Sequence, residues 1–109
     1  MLRSDLWVAA FVRRHNNIGH ICVVARKGDA SAGQILIEID HLDGTVSLLA
    51  PAATSADGTG DRTFVRRFAH VSPQTVTQRI AREAEFDPDF WLIGLEMRGD
   101  DAGVPISAN

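Results

Sequence analysis

The segment from Phe86 to Glu96, Phe-Asp-Pro-Asp-Phe-Trp-Leu-Ile-Gly-Leu-Glu, constrains the fold more than any other stretch of the chain. Pro88 disfavours α geometry at Asp87, so a helix arriving from the N-terminal side ends near Phe86. Beyond the turn, both parities are apolar: Phe90, Leu92 and Gly94 on one, Trp91, Ile93 and Leu95 on the other. A strand that is apolar on both sides is covered on both sides, which places it in the middle of a sheet.

The chain is read as a single domain over residues 1–109, a length that buries about 65% of its unfolded surface without staples. Eleven basic and 14 acidic residues give a net charge of −3, so there is no general pull toward nucleic acid or anionic membranes. The single cysteine, Cys22, excludes an intramolecular disulfide and fits a reducing, cytoplasmic setting. Arg13 and Arg14 close the short apolar run of Leu6–Val12, unlike a signal peptide. No stretch reaches the ~20 apolar residues of a membrane span.

Ser4 suits an N-cap and Asp5 a first helical turn, which predicts a helix over Asp5–Asn17 with Trp7, Ala10, Phe11 and Ile18 inward. A strand over Leu6–Val12 is the alternative. His20–Arg26 is β-branched and reads as a strand. Gln34–Asp40 alternates, with Ile35, Ile37 and Ile39 on a dry face, and reads as another. Asp43-Gly44 is a hairpin signal leading into Thr45–Ala50. Residues 51–61 form a polar loop expected to be mobile, and Arg62–Phe68 is a fourth strand. Ser72-Pro73 opens a second helix running to Phe86. The tail from Val104 is expected to be loose. The order α-β-β-β-β-α-β implies an α+β fold: a mainly antiparallel twisted sheet of about five strands with two helices on one face.

No catalytic constellation stands out. Cys22 lies in an apolar strand, where a thiol is inert. His15, His20, His41 and His70 lack metal-ligand spacing. Asp40-His41-Leu42-Asp43 offers ligand types at a turn, but turns favour Asp and His for backbone reasons, so no metal or cofactor is expected. Gly58-Thr59-Gly60 is no dinucleotide fingerprint. Arg26, Lys27 and Gly28, leading to Gly33, resemble an anion nest, against a plain solvated hairpin loop. Arg13, Arg14, Arg66 and Arg67 are further candidates for anion or nucleic-acid binding. In Phe64–Phe68, a shared face of Phe64, Arg66 and Phe68 would suit stacked bases; inward-packed phenylalanines with a snorkelling arginine are the alternative. Asp87 and Asp89 could do acid–base work, with His70, but flank Pro88 at a turn; Asp87, Pro88, Asp89 and Trp91 are read as a structural junction. Arg98-Gly99-Asp100 matches an adhesion tripeptide that arises easily by chance.

Several segments together resemble a family of short alphaproteobacterial proteins, domain of unknown function number fourteen ninety-one. They are Ser4–Arg14, Arg26–Gly33, Leu42–Thr45 and Ala81–Trp91, and the resemblance spans Leu2 to Glu96. It implies a compact cytoplasmic domain and no activity. The residues 104–109 depart from the aromatic ending it implies. The expectation is a non-catalytic interaction module with a protein partner or a second copy of itself. A nucleic-acid or phosphate-ligand binder using the arginines is the second reading, and a small enzyme the third.

Overall fold

A computed structural model of the chain describes residues 2–53 and 62–107. Its elements are α1 (Ser4–Asn17), β1 (Ile21–Arg26), β2 (Ile35–Asp40), β3 (Val46–Pro51), β4 (Phe64–Val71), α2 (Pro73–Phe86), β5 (Trp91–Glu96) and β6 (Ile106–Ser107). Residues 54–61 of the loop expected over 51–61 lie outside the described residues; Pro51 itself ends β3.

The sheet order is β1-β5-β2-β3-β4-β6. It has six strands and is mixed, with three antiparallel and two parallel pairings, so the expected mainly antiparallel sheet of about five strands is right only in part. β2, β3 and β4 form an antiparallel meander, so β4 runs the same way as β2. A short hairpin would have returned the chain antiparallel. The 14-residue α2 instead carries it back across the sheet, and β5 enters parallel to β2 and antiparallel to β1. The sixth strand, parallel to the start of β4, comes from the tail expected to be loose.

The helices cover opposite faces, not one. Val8 and Phe11 of α1 pack with Ile35, Ile37, Ile39, Trp91, Ile93 and Leu95. Val76 of α2 packs with Leu36, Leu48, Phe90 and Leu92. Both parities of β5 are apolar, as is Leu36 beside Ile35 and Ile37 on β2, and one helical layer would have left part of those side chains wet. The buried residues of α1 are Ser4, Val8, Phe11 and His15; of the expected stripe, Phe11 is buried and Trp7 packs half-buried against the same core, while Ala10 is exposed. Ile18 lies past the last helical turn and is exposed.

The β1–β2 loop is wedged between α1 and the start of β5. The Asp29 N–H donates to the Asp89 carbonyl (2.8 Å), and the Trp91 indole donates to the Asp29 carbonyl (2.8 Å). On the other side, the Ser4 and Asp5 N–H groups at the open end of α1 donate to the Ser31 and Ala30 carbonyls (3.3 and 2.9 Å). The Ser4 hydroxyl donates to the Gly33 carbonyl (2.6 Å). Ser4 is thus the first helical residue and not the N-cap; the loop's backbone caps the helix. Gly28 sits so close to the Asp89–Trp91 backbone that any Cβ there would overlap the Asp89 oxygen.

At the far end of α1, the Ala102 carbonyl can only accept, so His15 Nε2–H donates to it (2.8 Å) and Nδ1 accepts from His20 Nδ1–H (2.9 Å). Burial holds the His15 pKa below its ordinary value of 6.5.

Two predictions follow from this packing. Gly28→Ala should lower stability by about 1–3 kcal/mol or more, whereas Gly99→Ala, with open space around it, should stay within about 0.5 kcal/mol; urea denaturation measures both. For His15, the unfolded chain takes up a proton below about pH 6.5 while the folded chain refuses it, so folding weakens as pH falls from there toward the lower folded pKa. A His15→Gln protein should lose less stability than wild type between about pH 7 and pH 5, read from thermal midpoints.

Candidate functional site

Because β2, β4 and β5 run parallel, their C-terminal ends come to one rim of the sheet. Each end delivers a polar side chain: His41 after β2, His70 near the end of β4 and Asp100 in the turn after β5. The His41 and His70 rings are stacked, with centroids 3.9 Å apart and planes 14° from parallel. His70 Nε2–H donates to Asp100 Oδ1 at 2.6 Å, and His41 Nε2 lies 4.0 Å from the same oxygen. The hydrogen bond from His70 holds the Asp100 carboxyl below its ordinary value, helped by the nearby positive charge of Arg66.

His41 is fully buried and its tautomer is set by its neighbours. The Met97 carbonyl accepts from Nδ1–H (3.1 Å), so Nε2 carries the lone pair and accepts from the Ser47 hydroxyl (2.7 Å). The Ser47 Oγ in turn accepts from the His70 backbone N–H (3.0 Å). Ser47 is itself fully buried, so this Ser–His pair presents no nucleophile to a substrate. Among the described residues, the two non-glycine residues at positive φ are Leu42 (63°) and His70 (53°). One follows His41 and the other belongs to the cluster. Such geometry costs on the order of 1–3 kcal/mol per residue and collects at functional sites.

The residues singled out from the sequence are scattered. Arg26 Nη2 donates to the Pro88 carbonyl (2.8 Å), and its guanidinium lies over the Phe90 ring, 4.5 Å from the centroid. Lys27 is exposed beside it. The loop carrying Gly28 fills its own nest, since Asp29 Oδ2 accepts from the Ala32 N–H (2.8 Å). Arg13 and Arg14 are exposed on α1. Arg66 and Arg67 lie on β4, where a bulge at Arg67 shifts the register between Phe68 and Arg66. The bulge sends Phe64 to the α1 side and Phe68 to the α2 side. Phe64, Arg66 and Phe68 therefore do not share a face, and no stacking platform forms there. At the junction, the Asp87 carboxylate accepts from the Asp89 N–H (3.1 Å) and closes the turn at Pro88. Asp89 contributes through its backbone carbonyl, and Trp91 through its buried indole. The two aspartates stand apart from His70, which pairs with Asp100.

A second feature is the half of the α2-side face that α2 leaves bare. It is a shallow groove of about 230 Å³ across β1, β5 and β2, lined by Ile21, Val23, Gly94 and three carboxylates, Glu38, Asp40 and Glu96. Burial, with the charge of Asp40 beside it, pushes the Glu38 pKa up. The free edge of β1 next to it is not open: the Asn16 side-chain amide both accepts from the Cys22 N–H and donates to the Cys22 carbonyl (2.9 Å each). An irregularity between Val24 and Arg26 bends the rest of that edge. Neither device was visible in the sequence.

The model of the family described as "Protein of unknown function (DUF1491)" matches residues 2–104. No curated protein matches the chain. Among solved structures, a crystal structure of a DUF1491 family protein from Caulobacter crescentus CB15 is 32% identical, with a TM-score of 0.80 over 98% of each chain. An NMR structure of a DUF1491 family protein from the same organism is 33% identical, with a TM-score of 0.77 over 98% of this chain and 97% of that one. A solution structure of a protein from A. tumefaciens is 29% identical, with a TM-score of 0.87 over 99% of this chain and 96% of that one. Among the described residues, no helix is long and apolar enough to cross a membrane. The chain belongs to the DUF1491 family, whose function is unknown.

Proposed function

We propose that the chain is a non-catalytic interaction module whose binding surface is the bare half of the α2-side face, and that its occupant is a basic amphipathic helix of another protein. The observation that carries this is the composition of the groove. Ile21 and Val23 are 58% and 54% exposed on a sheet face, and Glu38, Asp40 and Glu96 beside them have no ion-pair partner among the described residues. Apolar side chains next to unpaired carboxylates fit a ligand with an apolar stripe and flanking lysines or arginines. A cation there would offset both causes of the raised Glu38 pKa.

The dimensions agree. Three strands span about 10 Å, close to the diameter of a helix with its side chains. α2 already lies on the neighbouring half of the same face, so an added helix would complete a layer. A second copy is the weaker occupant. Strand-to-strand pairing through β1 meets the Asn16 clamp. The exposed face of α1 that carries Arg13 lies on the opposite side of the sheet, so stacking copies would be head-to-tail and would not close.

Affinity capture from cell extract, scored for proteins and nucleic acid, tests this when run on wild type beside Val23→Lys and Glu96→Arg. The expected result is a protein retained by wild type in a salt-sensitive way and lost at least ~10-fold by both variants, with its binding helix shifting NMR signals of β1, β5 and β2. A partner retained equally by both variants, or capture of nucleic acid alone, would contradict the proposal.

A further inference from the structure

The geometry points to a divalent metal site of the zinc class at the rim of the sheet, held by His41 Nε2, His70 Nε2 and Asp100 Oδ1, with room for a water as a further ligand. These atoms lie within 4.8 Å of one another. Two imidazoles and one carboxylate form a common ligand set for zinc and for ferrous iron.

The spacing is close to what an ion needs. Bonds of about 2.0–2.1 Å at the tetrahedral angle hold ligand atoms roughly 3.3 Å apart. The Asp100 oxygen lies 2.6 Å from one imidazole nitrogen and 4.0 Å from the other, so the two separations bracket that value and a shift of well under 1 Å balances them. Stacked rings do not aim both lone pairs at one point, so His70 must tilt. It can: its side chain is 43% exposed, and the bond at its tip is to Asp100, itself on the surface. His41 supplies the fixed half. It is buried, and the Met97 carbonyl orients its Nδ1–H in the manner of the outer hydrogen bonds that support metal-bound histidines. The ion takes the place of the Ser47 hydroxyl at Nε2 and of the proton between His70 and Asp100. Ser47 Oγ, 2.7 Å from Nε2, turns off that lone pair to admit the ion.

Leu42, next to His41, and His70 itself are the two described non-glycine residues with positive φ. The ion would tie the ends of β2 and β4 to the turn after β5. The site shares no residue with the groove proposed for a partner helix and does not depend on it.

The test is calorimetric titration of the full chain with zinc chloride, with magnesium chloride as the comparison, followed by NMR of the histidine rings. Expected are one zinc per chain, no comparable magnesium uptake, and weaker zinc binding at about pH 5.5 than at about pH 7.5 because protons compete. The ring signals of His41 and His70 should move. Asp100→Asn should weaken zinc by at least ~10-fold, and His70→Ala by more than the ~10–100-fold typical of changes outside the ligand set. Both positions are exposed, so both variants should fold; circular dichroism checks that. Absence of stoichiometric zinc binding, zinc affinity unchanged in His70→Ala, or ring shifts confined to His15 and His20 would overturn the proposal.

Discussion

The contact on which the rest of the structure depends is the wedge of the β1–β2 loop between α1 and the start of β5. Gly28 lies against the Asp89–Trp91 backbone, Asp29 exchanges hydrogen bonds with Asp89 and Trp91, and Ala30, Ser31 and Gly33 accept from the first residues of α1. The loop satisfies two sets of polar groups at once: the open N–H groups of a helix, and the Asp89 carbonyl and Trp91 indole at the start of β5. A side chain at Gly28 would push the layers apart. This is why a chain of modest apolar content can insert β5 between β1 and β2, where it must pair on both edges and pack on both faces.

From that insertion the two surfaces follow. Three parallel strand ends share one rim and gather His41, His70 and Asp100. α2, drawn across β3 and β4 on its way to β5, covers Leu36 and Leu92 but leaves bare the part of that face around Ile21, Val23, Glu38, Asp40 and Glu96, where the acidic groove lies. Of the arginines that attract the eye in the sequence, Arg66 reaches the rim, donating to the Asp100 carbonyl (3.4 Å), and the others serve neither surface. Arg26 is spent on Pro88 and Phe90, and Arg62 on the Leu2 carbonyl and Ser4 hydroxyl, with burial lowering its pKa. These are structural uses of long side chains whose stems pack while their heads satisfy backbone carbonyls.

Local patterns were legible and convergence was not. The proline at 88 and the two apolar parities after it correctly announced the end of α2 and a central strand, because backbone sterics and burial act within a few residues. The alternation of Ile35, Ile37 and Ile39 likewise marked a core face. The same two-parity logic, carried one step further, implied helices on both faces rather than one. The bulge at Arg67 could not be seen, since one extra residue changes which side Phe68 takes without changing composition. His41, His70 and Asp100 are 29 and 30 residues apart in succession, and only the parallel run of three strands joins them. Their signal in the sequence is a polar residue capable of ligation just after or near each parallel strand's end.

The most direct test of the central role of the loop is backbone hydrogen exchange on Trp91→Phe, which removes the indole donor to Asp29 and keeps most of the ring volume. Faster exchange is expected at Asp5 and Asp29, on both sides of the loop, with β3 amides still protected. Unchanged protection at Asp5 would contradict it, because the helix start would then not depend on the loop being held against β5.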